Sequence, residues 1–251
     1  MKKIAVISDI HGNVFALDAV LGDIQSRNID IVVNLGDVLI GPIDPVSTAK
    51  RLMDMKDIIN IMGNGDELLL QDKITSSSYD FTKPLLTPEM LEWLGEFKRE
   101  WVYENILFCH ASPQSNHQYL LEEVTSKGIV SKSIEKLQFE LRDIIQDYIV
   151  CGHSHMCKTV YVSDNKVVIN AGSVGLPAYT DEEPLPHFIE TLSPFAKYVI
   201  ITTQNKIINK IEYVEVNYDW NKASEIAKNN SRDDYAYPIK TGLALKEKNR
   251  S

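Results

Sequence analysis

Residues 3–11 read KIAVISDIH. A short, continuous apolar run that breaks off into a carboxylate and an imidazole is the signature of a strand covered on both faces, its end opening onto polar chemistry. The pattern recurs. DIVVNL (30–35) leads to Asp37, DIINIM (57–62) to the quartet GNGD, ILFC (106–109) to His110 and DYIVC (147–151) to His153. Between these segments the apolar spacing changes to threes and fours. Val14, Leu17, Val20, Leu21 and Ile24 mark one helix, and Ile134, Leu137, Leu141, Ile144 and Ile145 mark another. Alternating strands and helices predict an α/β core.

Beyond residue 156 the periodicity becomes that of hairpins. CKTVYVSDNKVVIN and KYVIITTQNKIINKIEYVEV each read as paired strands, with Asp-Asn and Gln-Asn at the turns. They add antiparallel strands to the same core. The Ser-, Thr- and Pro-rich stretch 71–90 predicts a surface loop leading into a helix over 88–98. Residues 113–146 predict a mostly helical insertion that caps the site. A single domain over 1–230 and a polar, poorly ordered C-terminal tail over 231–251 complete the expected organisation.

The chain has 251 residues, 44% of them hydrophobic, enough for a sizeable core in one α/β unit. The apolar stretch after Lys2 and Lys3 is stopped by Asp9, too early for a signal-peptide core, and no window approaches a membrane span. The expected location is the cytoplasm, with no membrane association. The formal net charge of −9 and the lack of a basic stripe disfavour a nucleic-acid polymer as partner. A small phosphorylated substrate, nucleotides included, remains compatible if metal ions supply the local positive charge. Cys109, Cys151 and Cys157 have no CxxC spacing and read as packing residues.

The residues at the strand ends form a set: Asp9 and His11 in SDIHGN, Asp37 in LGD, Asn64 in GNGD, His110 in CHASP, and His153 and His155 in GHSH. If the strands continue with period two, Asp9 and His11 point the same way, as do His153 and His155. Loops at the carboxyl ends of strands are where open α/β sheets place ligands, so all these side chains can converge on one crevice. Oxygen and imidazole donors without thiolate suit manganese, iron or zinc, and disfavour a structural zinc site.

The order and spacing of these blocks resemble the calcineurin-like metallophosphoesterases, with their D-x-H, G-D, G-N-H-[DE], H-x-x-P and G-H-x-H motifs, and within them the small prokaryotic phosphodiesterase branch. The resemblance extends from about residue 4 to NAGSVGLP at 170–177. It implies two mixed β-sheets packed as a sandwich flanked by helices, a four-layer αββα fold. It also implies two metal ions, manganese first and iron or zinc as alternatives. One ion would be held by Asp9, His11, Asp37 and His155, the other by Asp37, Asn64, His110 and His153, with Asp37 bridging and with Asp37, Asn64 and His110 as catalytic residues. Such a pair, about 3.5–4 Å apart, supplies a bridging hydroxide as nucleophile and clamps the phosphoryl oxygens. Two divalent ions carry four positive charges, and Asp9, Asp37 and one hydroxide cancel three. A neutral Asn64 amide preserves the remainder for an anionic substrate.

One position departs from the motif. Gly65 stands where the family most often has a histidine that protonates the leaving group, assistance commonly worth about 10²–10⁴-fold. The expectation is a preference for good leaving groups, or a donor elsewhere, with His117 and His187 as candidates against the plainer reading of solvated loop histidines. Asp66 reads first as a helix N-cap and second as a residue that orients the ligands. Ser112 and Ser173 read as loop-shaping residues rather than nucleophiles. The expected activity is metal-dependent hydrolysis of phosphate esters or nucleotide phosphoanhydrides, with dinucleoside polyphosphate hydrolysis as one specific form. A non-catalytic protein-binding scaffold on the same fold is the rival of another class.

Overall fold

The computed structural model describes residues 1–72 and 74–246. The first half of the chain runs β1 (Lys2–Ile7), α1 (Val14–Gln25), β2 (Ile31–Asn34), α2 (Pro45–Met53), β3 (Ile59–Asn60), α3 (Asn64–Leu70), α4 (Ser77–Thr82), α5 (Pro88–Gly95), β4 (Glu100–Tyr103) and β5 (Ile106–Cys109). The second half runs β6 (Glu122–Thr125), β7 (Gly128–Ser131), α6 (Ile134–Glu140), β8 (Tyr148–Cys151), β9 (Lys158–Ser163), β10 (Lys166–Asn170), β11 (Ala178–Asp181), β12 (His187–Glu190), β13 (Ala196–Gln204), β14 (Ile207–Val216), α7 (Trp220–Asn229) and α8 (Asp233–Thr241).

Two five-stranded mixed sheets carry the fold, in the orders β14-β13-β1-β2-β3 and β4-β5-β8-β10-β9. In the first, β1, β2 and β3 are parallel and β13 joins β1 antiparallel. In the second, β5, β8 and β10 are parallel, with β4 and β9 antiparallel at the edges. Each central strand is apolar on both faces because each face meets a different layer. Ile4 and Val6 of β1 pack with Phe108 of β5 and Val150 of β8 between the sheets. Ala5 and Ile7 face the opposite way, into a cluster with Leu17 and Val20 of α1 and Leu52 of α2. On the outside of the second sheet Leu107, Ile149 and Cys151 pack with Leu137 and Leu141 at the end of α6. Alternate residues of one strand thus serve two cores, the reason the strands read as continuous rather than alternating runs. This is the expected four-layer arrangement.

Four expectations for local structure are corrected. Segment 113–146 is not mostly helical: it holds the antiparallel hairpin β6–β7 and the single short helix α6. The helical spacing extended to Ile145, but Ile144 and Ile145 lie beyond the helix and Ile145 is exposed. Stretch 71–90 contains α4 and a 3-10 turn over Lys83–Leu85. The polar tail begins with α8, whose Tyr235, Ala236 and Ile239 are buried against the main core, while residues 247–251 of that expectation lie outside the described residues. Among the described residues no helix is long and apolar enough to cross a membrane.

Candidate metal centre

The parallel strands β1, β2, β5 and β8 all deliver their carboxyl ends to one edge of the sandwich. The side chains there converge by a route that the sequence did not suggest. β1 stops at Ile7, and Asp9 and His11 lie beyond it in left-handed backbone, with φ of 55° and 52°. Asp37, His153 and His155 share that conformation, with φ of 55°, 65° and 58°. Asp and His tolerate this region better than most residues, yet each instance costs on the order of 1–3 kcal/mol and must be held by its surroundings. The holding is visible. Asp9 N donates to Gly36 O at 2.9 Å and His11 N to Asp37 O at 2.9 Å, so the first two loops are zipped together. Gly152 N donates to His110 O at 2.7 Å and Gly175 N to Asp9 O at 3.0 Å, tying in the other loops.

Asp66 is not the N-cap of the helix, a position that Gly63 holds. At the third position of α3 its Oδ2 accepts from Gly63 N at 3.0 Å, as the return arm of a capping box, and from Asp37 N at 2.8 Å, while Oδ1 accepts from Val38 N at 2.9 Å. Its carboxylate therefore fixes the loop that carries Asp37. The flanking glycines of GNGD are required by the same closeness. A Cβ at Gly63 would overlap the carboxylate and amide of Asp37, and one at Gly65 would overlap Ile40 Cγ2. Gly65 N instead donates to Asp37 Oδ1 at 2.7 Å. A side chain at the position where the motif's histidine would stand requires Ile40 to shift.

Ligand atoms from Asp9, His11 and His155 lie within 4.8 Å of one another, and so do those from Asp9, Asp37 and His110. Asp37 reaches toward both sides, with His11 Nε2 3.9 Å from Oδ2 and His110 Nε2 3.6 Å from Oδ1. Asn64 Oδ1 lies 2.9 Å from His110 Nε2. His153 is less closely drawn in. Its Nε2 lies 3.2 Å from His117 O, and its ring lies between His110, edge-on at 5.1 Å between centroids, and Tyr119, tilted at 4.9 Å.

The chemistry of this set is that of acceptors facing acceptors. His11 Nδ1 lies 3.0 Å from Ile40 O, His110 Nδ1 3.0 Å from Leu35 O and His155 Nδ1 2.6 Å from Leu176 O. A carbonyl accepts only, so each Nδ1 carries the proton and each Nε2 presents its lone pair inward, the arrangement that fixes histidines on metals. His11 and His155 point those lone pairs at each other across 3.3 Å. Burial pushes His11 down to about 3 and does the same to His153. Burial also lowers His110. His11, His110 and His153 are thus in the neutral, ligating form. Burial, then the charge of Asp9, pushes Asp37 up to about 7, and burial, then Asp37, pushes Asp66 up to about 7. Asp9 Oδ1 is buried without a hydrogen-bond donor. Lone pairs and crowded carboxylates without donors between them are satisfied by cations, and the residues present fit metal ions.

Several lining residues lie outside the sequence blocks. The centre opens into a cleft of about 300 Å³ whose walls include Ser78 of α4, Tyr119, Tyr179 of β11, and Arg232 and Tyr235 at the start of α8. The Tyr119 hydroxyl lies 2.7 Å from that of Tyr179 and 3.0 Å from His187 Nε2. His187, expected as a solvated histidine or a proton donor, is neither: it is buried, with Nδ1 2.8 Å from Leu185 O, and it stands behind Tyr119. The His117 ring is exposed, 3.8 Å from Glu67. Ser173 is a loop tie as expected, its Oγ donating to Asp9 O at 2.8 Å and accepting from Leu176 N at 3.0 Å. Ser112 closes the Ser112–Ser115 turn, its Oγ donating to Ser115 O at 3.1 Å.

Comparison with known proteins agrees with this architecture. A protein of Methanocaldococcus jannaschii described as uncharacterized is 29% identical over 91% of this chain and 93% of its own length. A crystal structure of a metallophosphoesterase from Sphaerobacter thermophilus superposes with a TM-score of 0.73 at 17% identity, over 96% of this chain and 99% of that one. A hypothetical protein of Pyrococcus horikoshii OT3 superposes at 0.74 and 17% identity, over 98% of this chain and 100% of that one. At such identity these structures speak for the fold alone. Residues 1–190 match the family described as the calcineurin-like phosphoesterase superfamily domain, and the chain belongs to that superfamily.

Proposed function

We propose that the chain is a dinuclear metal-dependent phosphoesterase acting on phosphate esters or nucleotide phosphoanhydrides. The observation that carries this reading is the inward-facing set of lone pairs on His11, His110 and His155 around Asp9 and Asp37. Asp9, His11 and His155 would hold one ion and His110, Asn64 and His153 the other, with Asp37 between them. Two divalent ions, manganese first and iron or zinc as alternatives, supply Lewis-acid activation of water and of the phosphoryl oxygens.

The chain's own residues do the rest. The carbonyls of Ile40, Leu35 and Leu176 hold the proton of each imidazole on Nδ1 and so keep Nε2 free. The Asn64 amide adds an oxygen donor without adding negative charge, which leaves the centre attractive to an anion. Neither His117 nor His187 offers a buried ring nitrogen to the leaving group, and Gly65 has none. The reading therefore favours substrates whose leaving groups depart without protonation.

The shape of the site supports a substrate with groups on both sides of the phosphorus. A second cleft of about 490 Å³, lined by His117, Glu123, Lys132 and Lys136, shares Asn64, Tyr119, His153 and Asp181 with the first. A diester or a dinucleoside polyphosphate spans such a pair of clefts, whereas a small monoester fills one. Turnover of phosphomonoesters, diesters and dinucleoside polyphosphates with defined metals tests the proposal. Metal-dependent hydrolysis of diesters above monoesters is expected, and a protein inert toward all three with manganese, iron and zinc would contradict it.

A further inference from the structure

We infer that Arg232, at the start of α8, binds a second, non-reacting phosphoryl group of the substrate. The inference deepens the reading of the site as a phosphoesterase and rests on it.

Arg232 lies outside the residues matched by the superfamily, in a segment with no metal-binding motif. It is 9% exposed, and it is the only lysine or arginine among the described residues that line the cleft at His11, Asp37 and His155. Its place is built. The guanidinium makes a two-pronged pair with Asp234, Nε to Oδ1 at 2.8 Å and Nη2 to Oδ2 at 2.6 Å, and Nη2 also donates to Ser78 Oγ at 2.9 Å. Its carbon lies 4.7 Å from the centroid of the Tyr235 ring, which in turn lies 6.3 Å from that of His11. One aromatic ring thus separates the guanidinium from the candidate metal ligands.

Two features are unexplained by folding alone. Nη1 is buried and has no hydrogen-bond partner, although a buried donor normally finds one. A cation at a helix N-terminus also opposes the helix dipole, which the acidic Asp233 and Asp234 in the first turn only offset. Both make sense if the guanidinium serves a ligand acceptor: Nη1 is enclosed in the free protein, and a phosphoryl oxygen engages the guanidinium once it turns away from Ser78. Asp234 and Asp181 also line the cleft, so the wall is not a general anion attractor. What remains is a directional donor, pre-aligned by Asp234, Ser78 and Tyr235, the geometry with which arginine recognises phosphoryl oxygens. A substrate with phosphoryl groups at both the metal centre and Arg232 engages the whole cleft, and one with a single phosphoryl group does not.

The test compares inorganic pyrophosphate with inorganic phosphate, bound to manganese-supplemented protein and followed by calorimetry, in the wild type, Arg232→Met and Arg232→Lys. A lost charge-assisted donor lowers affinity by about 10- to 100-fold. The preference for pyrophosphate over phosphate should fall by that factor in Arg232→Met and by less in Arg232→Lys, which keeps the charge but not the fork. An unchanged preference in both variants overturns the inference, as does an equal loss for both anions. Thermal melting checks folding, and if Arg232→Met does not fold the lysine variant decides. Hydrolysis of bis(p-nitrophenyl) phosphate by the wild type is read in parallel. Its absence would count against the phosphoesterase reading, while the binding ratio would still decide for or against Arg232.

Discussion

His11 and His155 come from loops 144 positions apart in the chain and meet with their Nε2 atoms 3.3 Å apart, each having its other ring nitrogen against a backbone carbonyl. Two lone pairs at that distance repel unless a cation lies within reach of both. Adding manganese should therefore stabilise the protein. At a free concentration 100 times the dissociation constant, one site contributes about 2.7 kcal/mol, a rise in melting temperature of about 5–10 °C for a domain of this size. Differential scanning calorimetry with and without chelator checks this, and Asp9→Ala should abolish most of the rise.

Asp66 is a second point of leverage. Replacing it by Asn turns one of its acceptor atoms into a donor facing backbone N–H groups, at a cost of about 1–3 kcal/mol. The melting temperature of metal-free Asp66→Asn should fall accordingly, and its manganese affinity should fall with it as the Asp37 loop loosens. A variant with wild-type affinity would show that the tie to Asp37 has no functional weight.

Gly65 should resist any side chain. Gly65→Ala forces its Cβ against Ile40 Cγ2, and overpacking of this kind costs about 1–3 kcal/mol. The double variant Ile40→Ala/Gly65→Ala should melt closer to Ile40→Ala than the single change predicts from additivity. Simple additivity of the two losses would show that the clash is not the cause.

Without an acid at position 65, rate should depend on the leaving group. A plot of log kcat/KM against leaving-group pKa across aryl and alkyl phosphodiesters should slope steeply downward. A flat plot would reveal a proton donor other than a residue at position 65, for which the cleft offers the Tyr119 and Tyr179 hydroxyls.

The three thiols should be inert in the native protein. Burial pushes Cys109 and Cys157 up to about 12 and Cys151 well above the usual value, so little thiolate exists near neutrality. Ellman's reagent should react with all three only after denaturation, and rapid labelling of native protein would contradict the packing role.

What could be read from the sequence was what local chemistry encodes. The apolar strands, the two late hairpins and the polar residues at strand ends follow directly from side-chain patterning. Asp9 and His11 were expected together because of a period-two backbone, but they meet through left-handed turns held by Gly36 O and Asp37 O, contacts between distant loops that no local pattern reports. The place of Arg232, Tyr235 and Ser78 in the cleft is not legible in the sequence for a related reason. SRDDYAYP (231–238) reads as polar tail, and only its paired acids and recurring aromatics hint at a helix with a buried face. In segment 113–146 the apolar residues fit helical spacing, while Thr125 and Gly128 close a hairpin turn, with Thr125 Oγ1 donating to Gly128 O at 2.8 Å.

The most direct measurement is an anomalous difference map from crystals soaked in manganese. Two peaks are predicted, one among Asp9, His11 and His155 and one among His110, Asn64 and His153, with Asp37 between them. A map with no peak there, or with ions only at surface carboxylates, would contradict the account.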